Sequence, residues 1–245
     1  MIKNLLVSVF FIAALVAAMS FTSNTGNTKL TIRFENYVGD MPLKLDSTTY
    51  KNSLGQSYTV SMFKYYVGSF HLKNTKGNDF VSNGYFLINQ DDEGSMQITI
   101  DNIPSGEYNV INFTLGVDSI DNCSGAQAGA LDPVNGMFWA WNSGYIFLKM
   151  EGISSASNST GKRLEFHIGG YREPNNCIKT IKLMLKNPIK SIAGNLVVIK
   201  VDVSHLFSGT EMVDFLKISS VTDFHHAKAI ADNYSSMFSV IEGAK

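Results

Sequence analysis

The two tryptophans of the chain, Trp139 and Trp141, lie two positions apart in an aromatic segment at 136–145. If this segment is extended, both indoles project from the same face, because the side chains of a strand alternate. Paired indoles on one face can stack on a sugar ring, or lie beside a metal as oxidisable groups. The alternative is that both tryptophans fill the hydrophobic core. Segment 136–145 is therefore the first candidate site.

Imidazole nitrogens are the next candidate donors, and the histidines are His71, His167, His205, His225 and His226. His167 stands at the predicted end of a strand before a glycine bend at 169–170, where backbone can approach a ligand closely. A hydrogen-bonded structural role is the alternative for such a histidine. The histidines do not have the spacing of a local metal motif, so any site must be assembled by the fold. Imidazole beside a soft or aromatic neighbour suits copper.

The two cysteines, Cys123 and Cys177, both occur in polar, loop-like segments. An even number of cysteines in an exported chain favours a disulfide. A bridge between them would close a long loop and stabilise the fold by about 3–4 kcal/mol in the chain-entropy model. The alternative is a thiolate pair that binds a metal, for which the chain lacks a Cys-x-x-Cys motif. We predict a Cys123–Cys177 disulfide.

Enzymatic signatures are absent from the sequence, which has no Gly-x-Ser-x-Gly elbow, phosphate-binding glycine loop or His-Glu-x-x-His motif. A hydrolase could use paired carboxylates, and Asp118, Asp121 and Asp132 cluster in one segment. Loop aspartates more often form turns and helix caps. We predict a protein that is not an enzyme.

The N-terminus has the pattern of a cleavable export signal. Lys3 precedes an apolar run at 5–19 that ends in small residues, as signal peptidase requires. The run is short for a membrane span, and an uncleaved anchor is the alternative. We predict a signal peptide at 1–20, a disordered linker at 21–29 and a periplasmic or extracellular mature chain without a membrane span. A net charge of −1 with scattered basic residues disfavours nucleic acid as a partner.

Short strands dominate the pattern after the linker. Segments such as 30–34 and 96–100 alternate apolar and polar residues, which is typical of half-buried strands. Segment 118–136 has no periodicity and indicates a long functional loop. Helical spacing occurs at 223–238, with Asp223 as a plausible cap. We predict one all-β domain at 30–245, a β-sandwich of antiparallel strands with a long functional loop and one short C-terminal helix.

The motifs of this domain resemble those of the MbnP-like family, periplasmic copper-associated proteins often encoded with a di-haem peroxidase partner. The Trp-x-Trp block at 139–141 is the most specific of them, and the Pro-Gly turn at 104–106 also matches. The resembling segments are 63–72, 101–108, 115–118, 131–145, 166–169 and 230–238.

This resemblance implies a β-sandwich that binds one copper ion through histidine nitrogens beside a tryptophan oxidised to kynurenine by the peroxidase partner. The matching positions are Trp139 or Trp141 for the modified residue and His167 for a ligand. A further nitrogen ligand would come from His71, His225 or His226, which are candidates without a matching motif. The alternative function is an exported carbohydrate- or peptide-binding module that works without metal.

Overall fold

The computed structural model of the chain describes residues 28–74, 76, 79–139, 144–190, 195–222 and 224–241. The predicted signal peptide at 1–20 lies outside these residues. The predicted linker at 21–29 is described only from Thr28, where the first strand already begins. Within the described ranges, no helix is long and apolar enough to cross a membrane.

Strands make up most of the described chain, as the alternating sequence pattern predicts. The helices are α1 (Ser119–Cys123) and α2 (Phe224–Tyr234). The strands in chain order are β1 (Thr28–Val38), β2 (Met41–Pro42), β3 (Tyr50–Lys51), β4 (Ser57–Asn74), β5 (Asp79–Asn89), β6 (Gln97–Ile103), β7 (Glu107–Leu115), β8 (Leu148–Ile153), β9 (Arg163–Ile168), β10 (Lys179–Lys190), β11 (Asn195–Asp202), β12 (Ser220–Val221) and β13 (Phe238–Ile241).

The strands form two sheets. The first has the order β13-β11-β1-β2, and β6 also pairs with β1. The second has the order β10-β7-β4-β8-β9-β12, and β3 and β5 pair with further parts of β4. The 18-residue strand β4 thus organises the second sheet, because it pairs with four other strands along its length.

The core lies between the two sheets. On β1, alternate side chains are buried, including Leu30, Ile32 and Phe34. The ring of Phe34 packs edge-on against Tyr65 of β4 and Phe113 of β7, with centroid separations of 6.2 and 6.1 Å. Each such buried apolar side chain contributes about 1.5–3 kcal/mol. The predicted all-β sandwich is confirmed.

The pairing directions differ in part from the prediction of antiparallel strands only. β1 pairs with β11 in parallel, from Leu30 opposite Asn195 to Tyr37 opposite Asp202, and β12 pairs with β9 in parallel. Apolar alternation with period 2 is the same in both kinds of ladder, so it cannot reveal direction. The remaining long pairings, including β4 with β5, β7 and β8, are antiparallel.

The segment predicted as a long loop contains short, well-capped helical turns. Asp118 caps α1, and its Oδ1 accepts hydrogen bonds from the Ile120 and Asp121 amides. Short 3-10 turns follow at Gly129–Leu131 and Pro133–Asn135, and the Asp132 side chain caps the second. Asp118 and Asp132 therefore act as caps, which is the alternative to a hydrolase site.

The C-terminal helix is shorter than its sequence pattern indicates. α2 ends at Tyr234, and Phe238 is the first residue of β13 rather than the last turn of a helix. Phe238 is buried nonetheless, against Tyr65 and Phe113. The pattern identified the core residue correctly, but burial alone does not distinguish a helix from a strand. Asp223, the predicted cap, lies outside the described residues.

Candidate functional site

Trp139 lies in a hairpin and is the last described residue of its first arm. Phe138 and Tyr145 form an isolated antiparallel bridge, and the Trp139 amide donates to the Gly144 carbonyl at 3.1 Å. The Trp139 side chain is 2% exposed and belongs to the core. This burial agrees with the alternative raised in the sequence analysis, that the tryptophan fills the hydrophobic core. Trp141 lies outside the described residues.

The indole of Trp139 rests directly on the backbone of Gly169. A Cβ added at Gly169 would lie 2.7 Å from Cζ3 and 2.8 Å from Cη2 of Trp139, and 2.5 Å from the Tyr145 carbonyl oxygen. Real carbon contacts are never this short, so only glycine fits under the ring. The glycine bend predicted to admit a ligand instead admits the indole.

His167 lies on β9 beside this contact. His167 is the next-to-last residue of β9, and Gly169 follows directly after the strand ends at Ile168. Cα pairing places His167 opposite Lys149 of β8, which in turn lies opposite Lys64 of β4. His167 therefore lies two residues before the glycine on which the Trp139 indole packs.

The chain before the hairpin covers the same face of the second sheet. Lys64 Nζ lies 3.4 Å from the Asn135 carbonyl oxygen, and Lys149 Nζ lies 3.4 Å from that of Gly136. Met137, which follows, is fully buried. These contacts hold segment 135–139 over the row of polar side chains formed by Lys64, Lys149 and His167.

A carboxylate contacts the His167 ring. His167 Nε2 lies 2.8 Å from Glu151 Oε1, and the same oxygen lies 3.3 Å from Lys149 Nζ. The His167 side chain is 17% exposed. Burial lowers the pKa of the imidazole below its usual value, although the hydrogen bond to Glu151 opposes part of this shift. The ring is therefore neutral at neutral pH, which is the form that binds a metal.

The pKa of Glu151 is also below its usual value. Partial burial raises it, but the hydrogen bonds from His167 and Lys149 lower it more strongly. An ionised carboxylate behind a histidine is the usual outer partner of a metal-binding imidazole. The His167–Glu151 pair is therefore suited to supply one nitrogen ligand to a metal.

The strand register separates His71 from His167. His71 lies further along β4, opposite Asn112 of β7, about 23 Å from Lys64 at about 3.3 Å per residue. His226 is exposed on α2, and the His225 side chain lies outside the described residues. Within the described part of the chain, no three His, Cys, Asp or Glu residues form a group that could hold a metal. Of the three alternatives for a further ligand, His71 is therefore placed apart from His167, and a ligand role for His225 or His226 stays a prediction.

The predicted disulfide is absent from the structure, in which both cysteines are free thiols. Cys123 is exposed at the end of α1, with Sγ 3.5 Å from the Tyr171 hydroxyl. Cys177 is fully buried, and burial raises the pKa of its thiol to about 12. Both cysteines lie in polar sequence segments, so the sequence does not distinguish a buried thiol from an exposed one. In the structure α2 covers the segment of Cys177, and the Tyr234 hydroxyl donates to the Cys177 carbonyl.

Asn122 and Glu151 are site residues that the sequence interpretation missed. Asn122 is 3% exposed, and its Oδ1 accepts the Tyr145 amide at 2.9 Å while Nδ2 donates to the Val117 carbonyl at 2.6 Å. It therefore ties α1 to the base of the hairpin. The sequence did contain a signal for Glu151. The alternating strand pattern around Met150 places the side chains of Lys149 and Glu151 on the same face of the strand. Asn122 had no such signal, because its contacts depend on the hairpin position.

Together these features define a β-sandwich protein in which a tryptophan packs on a glycine two residues after a histidine that contacts a carboxylate. The family model for MbnP matches residues 27–223, so the chain belongs to the MbnP family. Among solved structures, MbnP from Methylosinus trichosporium is similar, with a TM-score of 0.55 and 14% identity over 89% of this chain and 99% of that one. At this identity the likeness shows the fold. No curated protein matches the chain.

Proposed function

We propose that this protein is an exported, non-enzymatic copper-binding protein of the periplasm or extracellular space. The observation that carries the proposal is the His167 imidazole with Glu151 behind it, two residues before the glycine on which the Trp139 indole packs. Neutral imidazole is a good copper ligand. Membership of the MbnP family supports a metal-related role.

One neutral imidazole is not a complete copper site, so a second ligand is required. Segment 140–143 follows Trp139 directly and includes Trp141. We propose that this segment supplies it once Trp141 has been oxidised. Kynurenine has a ketone and an aromatic amine that an intact indole lacks, and its formation exchanges one carbon for one oxygen, a gain of about 4 Da. A di-haem peroxidase partner would catalyse this oxidation with a peroxide as the oxidant, and the lost carbon would leave as formate.

Trp141 is a better candidate than Trp139 for this oxidation. Trp139 is 2% exposed and packed on Gly169, so it is shielded from a protein partner. The same burial weighs against stacking of Trp139 on a carbohydrate, the alternative function, because a stacking platform needs an open ring face. Glycan binding that persists without metal and is lost in Trp141→Ala would favour that alternative.

The test is metal analysis and peptide mapping of protein purified from its native host and then loaded with copper. We expect one copper per chain, a gain of about 4 Da on the peptide containing Trp141, and loss of copper in His167→Ala. His71→Ala is the matched control, since this histidine lies on another row of the same sheet, and it should retain copper. Absence of copper from loaded wild-type protein would overturn the proposal.

A further inference from the structure

The first sheet opens into a cavity beside β1. Along one edge β1 pairs with β11, and along its other edge it pairs with β6 as far as Arg33 and with β2 from Tyr37. Segment 34–36 lies between these last two ladders, where the Asn36 carbonyl accepts the Leu43 amide at 2.8 Å. The cavity at this gap has a volume of about 530 Å³, which is within the range of small-molecule sites.

A buried amide lies on the core side of this cavity. The side chains of β1 that face the core are apolar at Ile32 and Phe34, but the next one in the alternation is Asn36, which is 5% exposed. Its Oδ1 accepts the Tyr65 hydroxyl at 3.0 Å, and its Nδ2 donates to Gln90 Oε1 at 2.9 Å. An amide is tolerated in a core only when its polar atoms are bonded, and these bonds also fix the position of Gln90.

Gln90 lines the cavity with part of its hydrogen-bonding capacity unused. Its Nε2 donates to the Leu43 carbonyl at 3.0 Å, and its Oε1 accepts from Asn36. A carboxamide has two N–H hydrogens and two acceptor lone pairs. Among the residues that the structure describes, one donor and one acceptor of this half-buried side chain therefore have no partner. Two neighbouring hydroxyl groups match them, because one can accept from the amide while the other donates to it.

The charged groups on the solvent side of the cavity contact each other. Arg33 Nε lies 3.4 Å from Glu35 Oε1, and the Tyr37 hydroxyl donates to Glu35 Oε2 at 3.1 Å. An ionic ligand would have to compete with these contacts, whereas hydroxyl groups can add to them as donors or acceptors. Phe34 and Pro42 supply apolar wall for the carbon atoms of a ligand.

We propose that the cavity beside β1 binds a saccharide, with two neighbouring hydroxyl groups on the Gln90 carboxamide. The site uses neither the tryptophans nor His167, and it does not depend on the proposed copper function.

The first test maps binding on metal-free wild-type protein. The amide signals of nitrogen-15-labelled protein are followed by NMR while D-glucose, D-galactose or D-mannose is added. We expect at least one of these sugars to cause saturable shifts at 34–36 and at the Gln90 side-chain amide. Diglycine is the control probe, because its trans peptide group points its donor and its acceptor in opposite directions and should not bind. No response to any sugar, shifts confined to the tryptophan hairpin, or an equal response to diglycine would refute the proposal.

The second test removes the two unused groups of Gln90. Gln90→Met keeps a side chain of similar length and should weaken sugar binding about tenfold, because two hydrogen bonds are lost. Gln127→Met is the matched control, since this half-buried glutamine donates to the Asp121 carbonyl in another segment, and it should bind like wild type. Circular dichroism establishes that each variant is folded, and the wild-type map decides the question if Gln90→Met is not. Equal binding by folded Gln90→Met and wild type would contradict the assigned contact.

Discussion

The indole of Trp139 and the α-carbon of Gly169 share a space that has no room for a methyl group. A Cβ at Gly169 would lie 2.5 Å from the Tyr145 carbonyl oxygen and 2.7 Å from the indole. Both the hairpin backbone and the ring of its first tryptophan are therefore positioned by one residue of the chain that follows β9. Since His167 is two residues earlier, the same short stretch positions both parts of the candidate site.

Gly169→Ala should displace the hairpin and destabilise the fold. Overpacking of a filled site costs about 1–3 kcal/mol, and the displaced indole should change the near-ultraviolet circular dichroism. Urea denaturation measures the free energy of unfolding. Gly106→Ala is the matched control, because a Cβ there first meets an atom at 3.5 Å, an ordinary contact. Equal effects of the two substitutions would contradict the close packing of Trp139 on Gly169.

Asn122→Ala should loosen the base of the hairpin. The substitution leaves the Tyr145 amide and the Val117 carbonyl without their buried partner, and each unsatisfied group costs about 1–3 kcal/mol. We expect a lower free energy of unfolding and faster proteolysis within 138–145. Asn158→Ala, which removes one exposed hydrogen bond to the Leu216 carbonyl, serves as the control and should change stability by less than about 0.5 kcal/mol. Unchanged proteolysis in Asn122→Ala would be inconsistent with its place in the structure.

Stability should fall as the pH is lowered from neutral, in part through His167. Burial lowers the pKa of its imidazole from the usual 6.5 in the folded chain. Between the two pKa values the unfolded chain binds a proton that the folded chain does not, so the free energy of unfolding falls as pH decreases. Glu151, whose pKa is lowered from 4.5, adds a loss of the same sign at lower pH.

This dependence can be measured by denaturant unfolding at about pH 7.5 and about pH 5.5 in wild type and His167→Gln. Both values lie above the usual range of carboxylates, so the difference reports mainly on histidine. We expect a smaller loss of stability over this interval in the variant. An identical loss in both proteins would show that His167 is not held neutral by burial.

Thiol labelling decides the state of the cysteines. The structure has Cys123 exposed and Cys177 buried, so one thiol per chain should react in the native protein and two after unfolding, without reductant. Cys123→Ser should abolish the native reaction, whereas Cys177→Ser should not. If no thiol reacts in unfolded, unreduced protein, the bridge predicted from the sequence is formed after all.

The sequence was most informative where a local pattern decides the outcome. Alternation identified strands such as β1, and helical spacing identified the buried face of α2 at Ala227, Ile230 and Ala231. Aspartate chemistry correctly favoured caps at Asp118 and Asp132. In each case the interactions lie within a few neighbouring residues.

Contacts between distant parts of the chain were not predictable in the same way. His71 and His167 look equally suitable as ligands, but the register of β4, β8 and β9 aligns His167 with Lys64 and leaves His71 further along the strand. The end of α2 at Tyr234 likewise depends on tertiary contacts. Asn233, buried at 1% exposure, donates to the carbonyls of Glu211 and Leu206 just before the chain turns into β13.

The parallel pairing of β1 with β11 has a consequence for the order of folding. Leu30 lies opposite Asn195, so an inner strand of the first sheet cannot acquire this partner until 165 further residues are present (195 minus 30). Contacts between such distant parts of a chain form slowly, because a long loop must be closed first. During synthesis the N-terminal strand therefore remains without its long partner until most of the chain has been made.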